Sequence, residues 1–138
     1  MLFRSSRVTG PYDVNSFAVA AARAALADVA YVEAYVAEVL AAREILVAQV
    51  RQAGVRHHVD GGNYLLLWPA QEPDLVEQRL RHEAGILVRS MAGKPQIDGS
   101  LRVSLGTRPQ MERFWRAWCA VEGINASARS PLSPPEEG

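Results

Sequence analysis

Between Gly85 and Thr107 the chain carries two short apolar runs, Gly-Ile-Leu-Val-Arg and Leu-Arg-Val-Ser-Leu-Gly-Thr, joined by a turn-rich segment. Runs this short, bounded by glycine and turn residues, read as strands. In the second run Leu101, Val103 and Leu105 alternate, so they share a buried face. Arg102 and Ser104 are left on the opposite face. A guanidinium beside a small side chain leaves room for a ligand, and its planar fork suits a carboxylate or a phosphate. Position alone still favours a solvated arginine on a wet sheet face. Arg89 ends the first run and is the second anion-binding candidate.

The rest of the chain supplies helices for such a sheet. Asn15 or Ser16 can cap an alanine-rich helix reaching Ala27, and Asp28 is a break or a second cap. From Val29 to Ala53 the pattern is helical again. Val32, Val36, Val39, Leu40, Leu46, Val47 and Val50 form its broad apolar face, and Gly54 suits its end. Val55 to Val59 alternates. Tyr64-Leu65-Leu66-Leu67-Trp68 is apolar on both faces, as an interior strand requires. After Pro73-Asp74 a helix runs to about Glu83, with Leu75, Val76, Leu80 and Ala84 as its expected buried stripe. Gly85 stops it, and strands over Ile86–Arg89 and Leu101–Leu105 follow. Thr107 caps a last helix to Glu122, with Pro109 near its first turn and Arg108 just outside it. Met111, Phe114, Trp115 and Trp118 fall at i, i+3, i+4 and i+7, a spacing that serves core packing. The expected architecture is α+β: a small, mainly antiparallel sheet with helices packed on it, preceded by a long helix. Residues 1–9 are expected to be a non-native leader, because Met-Leu-Phe-Arg-Ser is what a start codon fused to a common sequencing adapter encodes. Residues 10–122 form the expected domain. The Ser-, Pro- and Glu-rich residues 123–138 read as a disordered tail.

Composition removes several function classes. Fifteen Lys and Arg balance fifteen Asp and Glu, so nothing draws the chain to nucleic acid or to an anionic membrane. No apolar run is long enough to span a bilayer, and no signal peptide is visible, which makes an intracellular, cytoplasmic setting the default. One cysteine, Cys119, permits no internal disulfide and no multi-cysteine metal site, and it reads as a buried hydrophobe. His57, His58 and His82 lack ligand-spaced partners. Asp60-Gly61-Gly62-Asn63 is a hairpin turn and not a phosphate loop. Lys94 is the only lysine, in a loop where nothing would desolvate it into a nucleophile. Arg108, beside a helix start, is a weaker anion candidate, and Asn63 a weak polar one at the entry of the interior strand.

Four motifs stand in order and with matching spacing: Pro-Tyr-Asp-Val-Asn-Ser, Asn-Tyr-Leu-Leu, Gly-Ile-Leu-Val-Arg and Leu-Arg-Val-Ser-Leu-Gly-Thr. Together, over about Arg7 to Glu122, they resemble the C-terminal part of the histidinol-phosphate aminotransferase family. That family is a branch of the class I/II, fold-type-I pyridoxal-phosphate aminotransferases. Tyr64 stands where the family more often has Phe. The resemblance implies the small domain of a fold-type-I enzyme. It implies that Arg102 grips the substrate carboxylate or phosphate, that Arg89 helps hold the phosphate, and that Asn63 is structural first. It places Pro11–Ser16 near a subunit interface of a homodimer.

The implied reaction moves an amino group from L-histidinol phosphate to 2-oxoglutarate, in histidine biosynthesis. Pyridoxal 5'-phosphate is implied as cofactor of the intact enzyme, held by a large domain upstream of Pro11, so the fragment alone should be inactive. The implied partners are small-molecule substrates, with no nucleic acid and no membrane. Other readings are a threonine-phosphate decarboxylase or an aromatic aminotransferase. Outside the resemblance, a non-enzymatic α+β anion-binding module fits the same residues.

Overall fold

The computed structural model describes residues 15–125, so the expected leader, most of the Pro11–Ser16 segment and most of the expected tail lie outside the described residues. The elements are α1 (Ser16–Ala27), α2 (Val29–Gln52), β1 (His57–Val59), β2 (Tyr64–Leu67), α3 (Pro73–Ala84), β3 (Arg89–Ser90), β4 (Leu101–Ser104) and α4 (Arg108–Glu122). They fall in two compact units that divide between Ala37 and Glu38.

In the first unit, Asn15 Oδ1 accepts the Ala18 N–H at 2.8 Å and so caps α1. Asp28 does both jobs its sequence position offers. Its N–H closes α1 on the Ala24 and Ala25 carbonyls, and its Oδ1 accepts the Tyr31 N–H to open α2. No side chain of α1 is buried.

The second unit holds a four-stranded antiparallel sheet in the order β1-β2-β4-β3. β2 is interior, as its two apolar faces require, and Leu65, Leu66 and Leu67 are all buried. Leu65 lies opposite Val103, and Leu67 opposite Leu101. That face joins one core with Ala42, Leu46 and Val50 of α2, Leu80 of α3, and Phe114 and Trp118 of α4. Trp118 is fully enclosed, and its ring meets Phe114 at 5.9 Å between centroids. The C-terminus of α4 is tied to the β2–α3 region. Gln71 and Arg79 both donate to the Val121 carbonyl, at 2.6 and 2.8 Å, and Glu122 Oε2 accepts the Ala70 N–H. Those bonds satisfy groups that a helix end leaves without partners.

Four expectations are corrected. The broad apolar face of α2 is buried only at Ala42, Leu46, Val47 and Val50, while Val32, Val36 and Leu40 are exposed. A 24-residue helix is about 36 Å long, and only its last three turns meet this core. Leu75 is exposed, because it lies about 100° round the helix from Val76, which with Leu80 forms the buried stripe. Arg108 is the first residue of α4 and not a residue outside it. The strand expected over Ile86–Arg89 pairs only at Arg89 and Ser90. Ile86 spends its N–H on the Leu80 carbonyl in the left-handed cap at Gly85 (φ 62°), which holds the chain away from β4 at the helix exit.

Candidate anion-binding site

Strand register decides which side chains meet. Met91 donates to the Ser100 carbonyl at 2.9 Å, and two residues further along Arg89 lies directly opposite Arg102. Directly opposed residues of antiparallel strands point to the same face, with Cβ atoms about 5 Å apart. Arg102 lies opposite Leu66 on its other side, and Leu66 opposite His58. One row therefore crosses all four strands: His58, Leu66, Arg102, Arg89. It lies on the face away from Leu65, Val103 and the helices.

Two cationic side chains directly opposite each other on neighbouring strands disfavour one another, and an anion bound beside them relieves this. Among the described residues no carboxylate pairs with either of them. Among the described residues the ion pairs are Arg43–Glu44, Arg79–Glu83 and Arg81–Glu77, and none uses Arg89 or Arg102. Arg102 is half-buried and held by an aromatic face, its Cζ lying 4.8 Å from the Tyr64 ring centroid. That contact orients the planar fork without consuming its N–H donors. Ser104, two residues on along the same face, is small and exposed, which keeps the space beside the fork open.

The supports of this face were not visible in the sequence. Ser90 turns its N–H outward from the free edge of β3, and Glu77 Oε2 of α3 accepts it at 3.1 Å while Oε1 accepts from Arg81. Glu77 thus anchors the strand that carries Arg89. Its signal was faint: one acidic residue four before an arginine, a spacing that alone suggests a surface helix pair. Asn63 contributes through its backbone, its carbonyl accepting the Leu105 N–H at 2.8 Å and lengthening the β2–β4 ladder. The aligned position of His58 follows only from register.

The remaining candidates stay apart from the row. Lys94 is exposed on the turn between β3 and β4, where its N–H closes on Met91 and Gly93 donates to Asp98 Oδ1. Arg108 is exposed at the start of α4. Cys119 is buried, and burial pushes its thiol above the ordinary value, away from nucleophilic use. No cluster of three or more His, Cys, Asp or Glu side chains placed to hold a metal occurs among the described residues. No helix among them is long and apolar enough to cross a membrane.

Comparison with known proteins places the chain in a family. The model of the family "Aminotransferase class I and II" matches residues 4–117. A histidinol-phosphate aminotransferase of Acinetobacter baumannii (strain AYE) is 35% identical over 104 residues, covering 75% of this chain and 28% of the relative. One from Methylobacillus flagellatus is 35% identical over 109 residues, covering 79% of this chain and 29% of the relative. The chain thus spans under a third of the length of these relatives. A crystal structure assigned to an aminotransferase of Burkholderia pseudomallei K96243 superposes with a TM-score of 0.68 at 27% identity, over 87% of this chain and 36% of that one. Histidinol-phosphate aminotransferase from Sinorhizobium meliloti, solved with pyridoxal-5'-phosphate, shares the fold with a TM-score of 0.65 at 19% identity, over 86% of this chain and 32% of that one.

Proposed function

The chain belongs to the class I and II aminotransferases, and from that membership we propose that it is the substrate-gripping portion of an enzyme that moves an amino group between L-histidinol phosphate and 2-oxoglutarate. The observation that carries the reading is the opposed pair Arg89 and Arg102 on one sheet face, neither of which has a carboxylate partner among the described residues. Histidinol phosphate presents a phosphate and glutamate a carboxylate, and a guanidinium fork receives either. Arg102, fixed over Tyr64, grips the anion, and Arg89 adds the second charge that a phosphate dianion calls for. Similarity to histidinol-phosphate aminotransferases supports histidinol phosphate as the phosphorylated substrate.

The described residues do not fit pyridoxal phosphate. The family's cofactor needs a lysine amine in a shielded site, and the only lysine of the sequence, Lys94, is exposed on a turn. No step through the cofactor is therefore assigned to these residues. Their part is to bind the substrate's anionic end and orient the rest of the molecule. Adding the cofactor to the purified 138-residue chain is expected to give no absorbance band of a lysine adduct and no turnover.

In an enzyme of the relatives' full length, Arg102→Ala is expected to cost about 2–5 kcal/mol in kcat/KM for both substrates, on the scale of removing one partner of a desolvated charge pair. Arg89→Ala should act more strongly on histidinol phosphate than on glutamate. Unchanged kcat/KM in the Arg102 variant would remove the basis of the reading.

A further inference from the structure

A pocket lies where the β3–β4 ladder stops. Extending the register past Arg89 and Arg102 would pair Val88 with Val103, Leu87 with Ser104 and Ile86 with Leu105. None of these pairs forms, and the two segments part like a fork. The gap is an open pocket of about 320 Å³, lined by those six residues and by Gly106, Gln110, Met111, Arg113 and Phe114. Neither Arg89 nor Arg102 lines it. That size is at the small end of ligand sites.

The lining has two chemical parts. Val88, Val103, Met111 and Phe114 are buried and make an apolar floor, while Leu87 at the mouth is 75% exposed. The exposed guanidinium of Arg113 is the one charged group of the lining. One of its N–H groups donates to the Ala84 carbonyl at 2.5 Å, which positions the head group at the helix exit. It takes part in none of the ion pairs of the described residues, so its remaining donors are available. An apolar floor under one unpaired cation selects a ligand with an apolar body and a single anionic end.

We propose that this fork pocket binds a small amphipathic carboxylate, a short acyl or aryl acid, with its carboxylate on Arg113 and its body over Val88, Val103 and Phe114. Neither arginine of the row lines the site, although Ser104 borders both, and the proposal does not depend on the aminotransferase reading. An occupant fills the gap that opens one step beyond Arg89.

Sodium hexanoate serves as probe, titrated into the ¹⁵N-labelled 138-residue chain and followed by amide NMR, with hexanol as the uncharged control. Saturable shifts are expected at Leu87, Ser104 and Gly106, with hexanol at least tenfold weaker. Arg113→Gln should reduce hexanoate affinity about tenfold, to the level of hexanol. If that variant does not fold, the comparison of hexanoate with hexanol decides. Absence of saturation, equal binding of hexanol, or shifts confined to Arg89 and Arg102 would each overturn the proposal, and the last would leave the arginine-row reading standing.

Discussion

At the residue scale, Gly106 shows how a single missing Cβ can matter. The Gln110 side chain folds back to accept the Thr107 N–H at 2.9 Å, and a Cβ built on Gly106 would fall on its Oε1. The φ of Gly106 is not in the left-handed region, so the constraint is space and not backbone freedom. Gly106→Ala is expected to push the Gln110 side chain out of the cap and cost about 0.5–2 kcal/mol, the usual worth of a helix cap, measured by urea unfolding. Cys119 gives a second residue-scale expectation. It is 2% exposed and its thiol is raised by burial, so alkylation at pH 8 should follow global unfolding and accelerate only with denaturant. Arg102 marks the limit of reading such residues from sequence. Alternation placed it on the face opposite Leu101 and Val103. Its opposition to Arg89 depends on register across a ten-residue connection, which no local pattern encodes.

Elements were legible where their ends carry chemistry. Asn15, Asp28, Gly85 and Thr107 each sit at the helix boundary their side chain, or lack of one, favours. Strand ends were less so, because β3 is set by its neighbours and not by propensity: Ile86 is captured by the cap of α3, and Ser90 by Glu77. Removing that support tests the account. Glu77→Ala leaves the Ser90 N–H without its acceptor and should cost about 1–3 kcal/mol, the penalty for an unsatisfied partly buried donor, with faster amide exchange at Ser90 as the specific mark. On α3 the hydrogen bond from Arg79 holds the Glu83 carboxyl below the usual carboxylate range. A depressed folded value means the contribution of the pair is present at neutral pH and lost as pH falls through that value. Carboxyl NMR titration should find Glu83 titrating below the ordinary glutamate range, and Arg79→Met should return it there.

For the whole molecule, burial is unevenly shared between the two units. The sheet unit buries side chains from α2, α3, α4 and two strands, β2 and β4, whereas α1 buries none. Phe17, Leu26 and Tyr31 are 87%, 78% and 68% exposed, and Val29, Val32, Tyr35 and Val36 are exposed as well. Helices of this length gain most of their stability from packing an apolar face, so α1 is expected to exchange its amides orders of magnitude faster than β2, β4 and α4 in hydrogen-exchange mass spectrometry. Periodicity showed that apolar residues recur along α1 and α2 but not which of them a core would reach, since that depends on what lies beside each turn. An apolar surface of this kind also predicts behaviour in solution. Phe17→Ser combined with Leu26→Ser should lower dye binding and light scattering at high concentration. The cooperative unfolding of the sheet unit should stay within about 0.5 kcal/mol, as for surface substitutions away from a core. A loss of several kcal/mol from that double substitution would mean that the exposed helix contributes to the stability of the sheet unit after all.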